Sequence, residues 1–177
     1  MKSYHYLWLI LIAYFAIGLS YILLNPLWEA PDEIHHYPMV NYLETNNLAL
    51  PSQAEGTVGL WQQEGNQPPL YYLIGAILTA PIDTSDIDSV MQVNPHADIG
   101  IIRPDASVNR LIHNPQNETF PSSGAVLASY IMRLFSLILG TATIYVTYRT
   151  AKLIFPDSPM IALGSAGINA FIPMFVY

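Results

Sequence analysis

The 177-residue chain contains no cysteine, and only 11% of its residues are charged. Without cysteine it has no disulfide framework and no thiolate metal site. Lysine and arginine together number six against thirteen acids, a formal charge of −7 with pI near 4.9. Nucleic-acid binding, which needs clustered basic side chains, is excluded as the leading reading. Soluble domains carry about 25% charged residues, so this chain is short of water-facing side chains. What it has instead is 52% hydrophobic residues and a mean hydropathy of +0.32. The composition is that of an all-α integral membrane protein.

Residues 7–24, "LWLILIAYFAIGLSYILL", carry no charge; at ~1.5 Å per residue they approach the roughly 30 Å of a hydrocarbon core. A cleaved signal peptide would need small residues before the cut, and Trp28-Glu29-Ala30 is too bulky. Residues 70–80 are apolar but would reach only about 16 Å as a helix, and Pro68, Pro69 and Pro81 bracket them. They read as an interfacial or re-entrant helix. Further apolar runs cover 125–149 and 160–177. With three spans and an interfacial 70–80, Lys2, Arg149 and Lys152 all fall inside, as the positive-inside rule prefers. Residues 25–124 then form one long outer region. Its first part, 25–68, holds Glu29, Asp32, Glu33, Glu44, Glu55 and Glu64 and no Lys or Arg. The chain stops inside an apolar run, which reads as the N-terminal part of a longer protein. "NET" at 117–119 matches a glycosylation sequon of low specificity.

Chemistry concentrates in "PDEIHHY", residues 31–37. Ile34, Tyr37, Val40 and Leu43 recur near helical spacing, with Pro38 either kinking the helix or lying in its first turn. Three readings stand side by side. Asp32 caps the helix while His35 and His36 are solvated; or Asp32, His35 and His36 converge on a metal; or a carboxylate at the lipid boundary accepts a proton from a hydroxyl. Partial desolvation there makes a carboxylate a stronger base. His96 and His113 lie far along the chain without defining spacing.

The order of "PDEIHHY", "QQEGNQPPLYYLIGA" and "RLFSLILGTATIYVTYRTAKLIFP" resembles the start of a GT-C glycosyltransferase. Protein O-mannosyltransferases, aminoarabinose lipid A transferases and related bacterial membrane proteins are the nearest in pattern. The resemblance covers essentially the whole chain and about the first third of a family member. It implies a polytopic fold whose first outer loop carries juxtamembrane helices and the catalytic acid. It implies Asp32 as general base with Glu33 as its motif partner, and sugar transfer from a polyprenyl-phosphate donor to a glycan, lipid or protein acceptor. A bacterial inner membrane with the site facing outward would be its setting, and this segment alone would be inactive. No cofactor is implied, and a divalent metal stays open. Glu64, Arg133, His35 and Tyr71 are the candidate substrate-binding residues. For Tyr71 and Tyr72 interfacial anchoring is the plain alternative, and for Arg133 snorkelling to the interface. The rival functions are a non-catalytic assembly or export factor for surface polysaccharide, and part of a transporter.

Overall fold

The structure, a computed structural model, describes residues 2–52, 58–97, 109–118 and 122–172. Glu55, Thr119 of the sequon and the 173–177 end of the third apolar run lie outside these. The described chain is helical: α1 (Lys2–Leu24), α2 (Glu33–Thr45), a 3-10 helix (Leu60–Asn66), α3 (Leu70–Thr79), the single turns α4 (Ile87–Val90) and α5 (Pro115–Glu118), α6 (Gly124–Ile154) and α7 (Pro159–Phe171). Contacts divide it into two units, one of residues 1–24 with 133–177, the other of residues 25–132.

Tyr4–Leu24, in the first unit, and Gly124–Ile154, whose residues from 133 on belong to it, are long and apolar enough to cross a membrane. Their large side chains face outward: Trp8, Leu9, Ile12, Leu23 and Leu24 on α1, and Ile138, Leu139, Val146 and Leu153 on α6, are exposed. A helix in a soluble core would bury such residues, whereas lipid accepts them. Inside the unit, Leu7, Leu11, Tyr14, Leu137, Ile144 and Tyr148 pack together with Ala162, Ala166 and Ala170. Alanines four apart form a flat stripe on α7 that lets backbones approach, and α7 packs against α1. α7 has 13 described residues, about 20 Å at ~1.5 Å each, so the third apolar run is a shorter helix over its described part. Arg133 donates from Nη1 to the Ile22 carbonyl at 3.1 Å, satisfying one of the carbonyls that the last turn of α1 leaves without an intrahelical partner.

The second unit is organised around α2. The helix begins at Glu33 and runs through Pro38 rather than starting near it. An interior proline costs about 3 kcal/mol. Burial of Ile34, Met39, Val40 and Leu43, at ~1.5–3 kcal/mol each, outweighs that cost. Asn47 and Leu48 take positive φ at its end, and the Leu48 amide closes back on the Leu43 carbonyl at 2.7 Å. The 3-10 helix and α3 both pack on α2. α3 buries Tyr72, Gly75, Ala76 and Thr79, the i, i+3, i+4, i+7 face. A Cβ on Gly75 would fall 2.6 Å from Met132 Cε and 3.1 Å from Val40, so glycine sets how closely α3 approaches. Leu70, Ile74, Ile77 and Leu78 are left exposed.

Asp86 anchors the start of α6, its Oδ1 accepting the Ala125 amide at 2.8 Å. Gly124 before it has φ +60° and lies directly against that carboxylate, a conformation glycine adopts without a Cβ penalty. Asp86→Ala removes this acceptor and is expected to cost about 0.5–2 kcal/mol, read as a lower thermal midpoint by circular dichroism, with Asp86→Asn close to wild type. Equal loss in both variants would mean that the charge, not the cap, matters.

Candidate functional site

The turn after α1 is held by its own strained backbone. Trp28 has φ 61°, a conformation costing about 1–2 kcal/mol for a residue with a Cβ. It is fully buried, and a buried tryptophan removes ~150–250 Å² from water, worth about 4–6 kcal/mol. Its indole Nε1 donates to Ser129 Oγ at 3.0 Å and its backbone amide to Glu33 Oε2 at 2.8 Å. Glu33 is thus the residue that closes the turn back onto the start of α2.

Asp32 occupies the N-cap position with φ 60° and ψ 0°, and its side chain makes no capping hydrogen bond. The capping expected from sequence is done by its backbone alone: the Asp32 carbonyl accepts the His35 and His36 amides at 2.8 and 3.0 Å. In the left-handed conformation the carboxylate does not reach back to the first-turn amides. The residue is exposed.

The histidines are not simply solvated. His35 Nδ1 lies 2.9 Å from the Leu60 carbonyl, and since a carbonyl only accepts, that nitrogen carries the hydrogen. The contact pins the 3-10 helix to α2. His36 Nδ1 lies 2.9 Å from the Tyr72 hydroxyl, which donates to Glu64 Oε2 at 2.7 Å. His36 Nδ1 is itself 3.4 Å from Glu64 Oε2. Glu64 is 3% exposed. The two motifs that sequence singled out, "PDEIHHY" and "QQEGNQPPLYY", therefore meet through His36, Tyr72 and Glu64. Burial, followed by the hydrogen bond and charge of Glu64, pushes the Tyr72 phenol well above its ordinary 10.0.

Of the expected site residues, Asp32, Glu33, His35, Glu64 and Tyr71 lie in the second unit and Arg133 in the first. Tyr72, not Tyr71, is the tyrosine that holds Glu64; Tyr71 stands edge-on to it at 5.3 Å. The helical face shared with Gly75, Ala76 and Thr79 was the signal that Tyr72 points inward. Sequence spacing also missed a second cluster. His113 Nε2 is 2.9 Å from Glu29 Oε1 and its Nδ1 2.9 Å from Glu118 Oε2. Glu29 further accepts the Arg110 and Leu111 amides, both at 2.9 Å. This ties the segment before α5 to the chain following α1, across 84 residues that no local pattern spans. A third group joins Glu44 to the hydroxyls of Thr79 and Thr84, each at 3.2 Å. Among the described residues no set of three or more His, Cys, Asp or Glu is placed to hold a metal ion. No family model, curated protein or solved structure matches the chain.

Tyr37, raised by burial and then by the Glu44 and Asp86 carboxylates, shares the behaviour of Tyr72. Below pH 10 both phenols are neutral whether the chain is folded or not, so their contribution is complete. Above it the unfolded chain ionises first, and stability falls as pH rises. In a spectrophotometric titration these two are expected to ionise late and together with loss of helical circular dichroism. Tyr37→Phe and Tyr72→Phe should each remove late-titrating amplitude; an unchanged late phase in both variants would contradict the assignment.

Proposed function

We propose that this chain belongs to a polytopic membrane glycosyltransferase of GT-C type, transferring sugar from a polyprenyl-phosphate donor to a hydroxyl acceptor on the outer side of a bacterial inner membrane. The observation that carries the reading is Asp32. Its neighbour Glu33 is consumed by the Trp28 amide, while the Asp32 carboxylate is exposed and makes no capping bond.

In the reaction, Asp32 accepts the proton of the acceptor hydroxyl as that oxygen attacks the anomeric carbon. The bond from that carbon to the donor's phosphate oxygen breaks, and the electron pair leaves with the phosphate, inverting the centre. The acceptor can be a glycan, lipid or protein hydroxyl, since the base acts on the hydroxyl alone. The outward aliphatic side chains of α3 support a helix lying in the outer leaflet, where a lipid-borne donor would be met. With α1 and α6 as spans, Lys2, Arg149 and Lys152 fall on the inner side.

Asp32→Asn keeps the side chain's size and removes its ability to take a proton. In the complete protein it is expected to slow transfer from a polyprenyl-phosphate sugar by roughly 10²–10⁴-fold, without loss of helical content. Near-normal transfer by this variant would overturn the base assignment.

Topology has a separate test. Cysteines placed at the exposed positions Ser52 and Ser85, on either side of α3, are both expected to react in intact cells with an impermeant thiol reagent. Labelling at one position only would mean that α3 crosses the membrane.

A further inference from the structure

The hydrogen-bond chain behind His36 fixes where its hydrogens are. Tyr72 has a single hydroxyl hydrogen, and Glu64 Oε2 receives it at 2.7 Å. The phenol oxygen is then an acceptor, so the His36 nitrogen 2.9 Å away donates to it as Nδ1–H. The Tyr72 ring, stacked on the imidazole at 6.0 Å and 23°, holds its plane. Burial keeps the phenol protonated, so the arrangement persists across the physiological range. Nε2 is left as the acceptor nitrogen of the neutral ring, and the His36 side chain is 44% exposed. Among the described residues Nε2 has no partner. The Tyr72–Glu64 pair behind Nδ1 fixes the orientation and tautomer of the ring. His35 has a neutral carbonyl behind it instead.

The charge of the neighbourhood narrows the ligand. Asp32, Glu33 and Glu64 stand on or beside α2, and residues 25–68 contain no Lys or Arg. An anion is disfavoured as the group hydrogen-bonded at His36 Nε2 itself, and the phosphate of the proposed donor is assigned no contact with this nitrogen. A neutral molecule with hydroxyl groups is not disfavoured, and each hydroxyl supplies the hydrogen that Nε2 lacks.

We infer that His36 Nε2 accepts a hydrogen bond from a hydroxyl of a neutral polyhydroxylated ligand, with Tyr72 and Glu64 as the positioning residues. The inference rests on the reading of this region as one that meets a hydroxyl acceptor, and it adds a group that orients that acceptor. No bond is made or broken at His36.

The test uses the complete protein in lipid nanodiscs with 15N-labelled histidine, at about pH 8, above the ordinary histidine range. The probes are methyl α-D-glucopyranoside and tetrahydropyran, a ring of similar shape without hydroxyls. His36→Gln identifies the resonance. Nε2 of His36 is expected to be hydrogen-free and to shift with the glycoside but not with tetrahydropyran. Tyr72→Phe is expected to weaken the glycoside response about 3–10-fold, the value of one neutral hydrogen bond. If Tyr72→Phe loses helical content, Glu64→Gln carries the comparison, with weakening in the same direction. A hydrogen on Nε2 in the wild-type protein, no response to the glycoside, or an equal response in the folded variants would overturn the inference. Asp32→Asn separates the two proposals: it removes transfer and leaves the His36 response in place. A lost transfer with a silent His36 overturns this inference alone, and retained transfer with a responsive His36 overturns only the base.

Discussion

A buried carboxylate with no lysine or arginine paired to it among the described residues is the constraint around which the second unit is built. Glu64 is 3% exposed, and taking such a group out of water is costly unless hydrogen bonds replace the lost solvent. The replacement comes from Tyr72 and, behind it, His36. Tyr72 can reach only if α3 lies close to α2, and at Gly75 that approach is tight, since a Cβ there would fall 3.1 Å from Val40 of α2. Pro68 and Pro69, immediately before α3, stop the 3-10 helix from running on into it, so the acid and its tyrosine partner sit on opposite sides of a bend. One electrostatic requirement thus fixes the packing of three consecutive elements.

Adjacent carboxylates at the start of α2 have been given different tasks by the backbone. Glu33 is inside the first turn and folds back onto Trp28, compensating a strained tryptophan backbone and completing the turn. Asp32, one residue earlier and in the left-handed conformation, is turned away from the helix amides it would otherwise cap. Reversing the order of the two residues would place the longer side chain at the cap position and leave the shorter one to span the turn to Trp28. The Asp-Glu order is therefore tied to geometry as well as to chemistry.

The helical elements were legible because their signals are local. The apolar run at 7–24, the proline brackets around 70–80 and the long stretch after residue 124 each declare a helix from composition and spacing. The start of α2 was less legible, since Pro38 argues for a later start and only the burial of Ile34, Met39, Val40 and Leu43 against other elements overrides it. The candidate site was legible as a place and not as a set of bonds. Asp32, Glu33, His35 and Glu64 were singled out by residue type. Whether a histidine is solvated or pinned depends on partners 25 and 36 residues away. The choice of Tyr72 over Tyr71 is a matter of helix phase, which Gly75, Ala76 and Thr79 together encode. The bond between Glu29 and His113, 84 residues apart, has no counterpart in any sequence pattern.

That long-range bond also ties down the backbone on one side of the exposed Asp32. Glu29, three residues before it, accepts two backbone amides and a histidine nitrogen, and His113 is held in turn by Glu118. Glu33, one residue after it, is bound to Trp28. Asp32 is thus fixed by bonds to the residues on either side rather than by any capping bond of its own. A carboxylate that must accept a proton gains from this division, because a hydrogen bond made by its own oxygens would have to be broken or shared before it could act. The neighbours hold the backbone, and the carboxylate proposed as the base keeps its oxygens free of a capping bond.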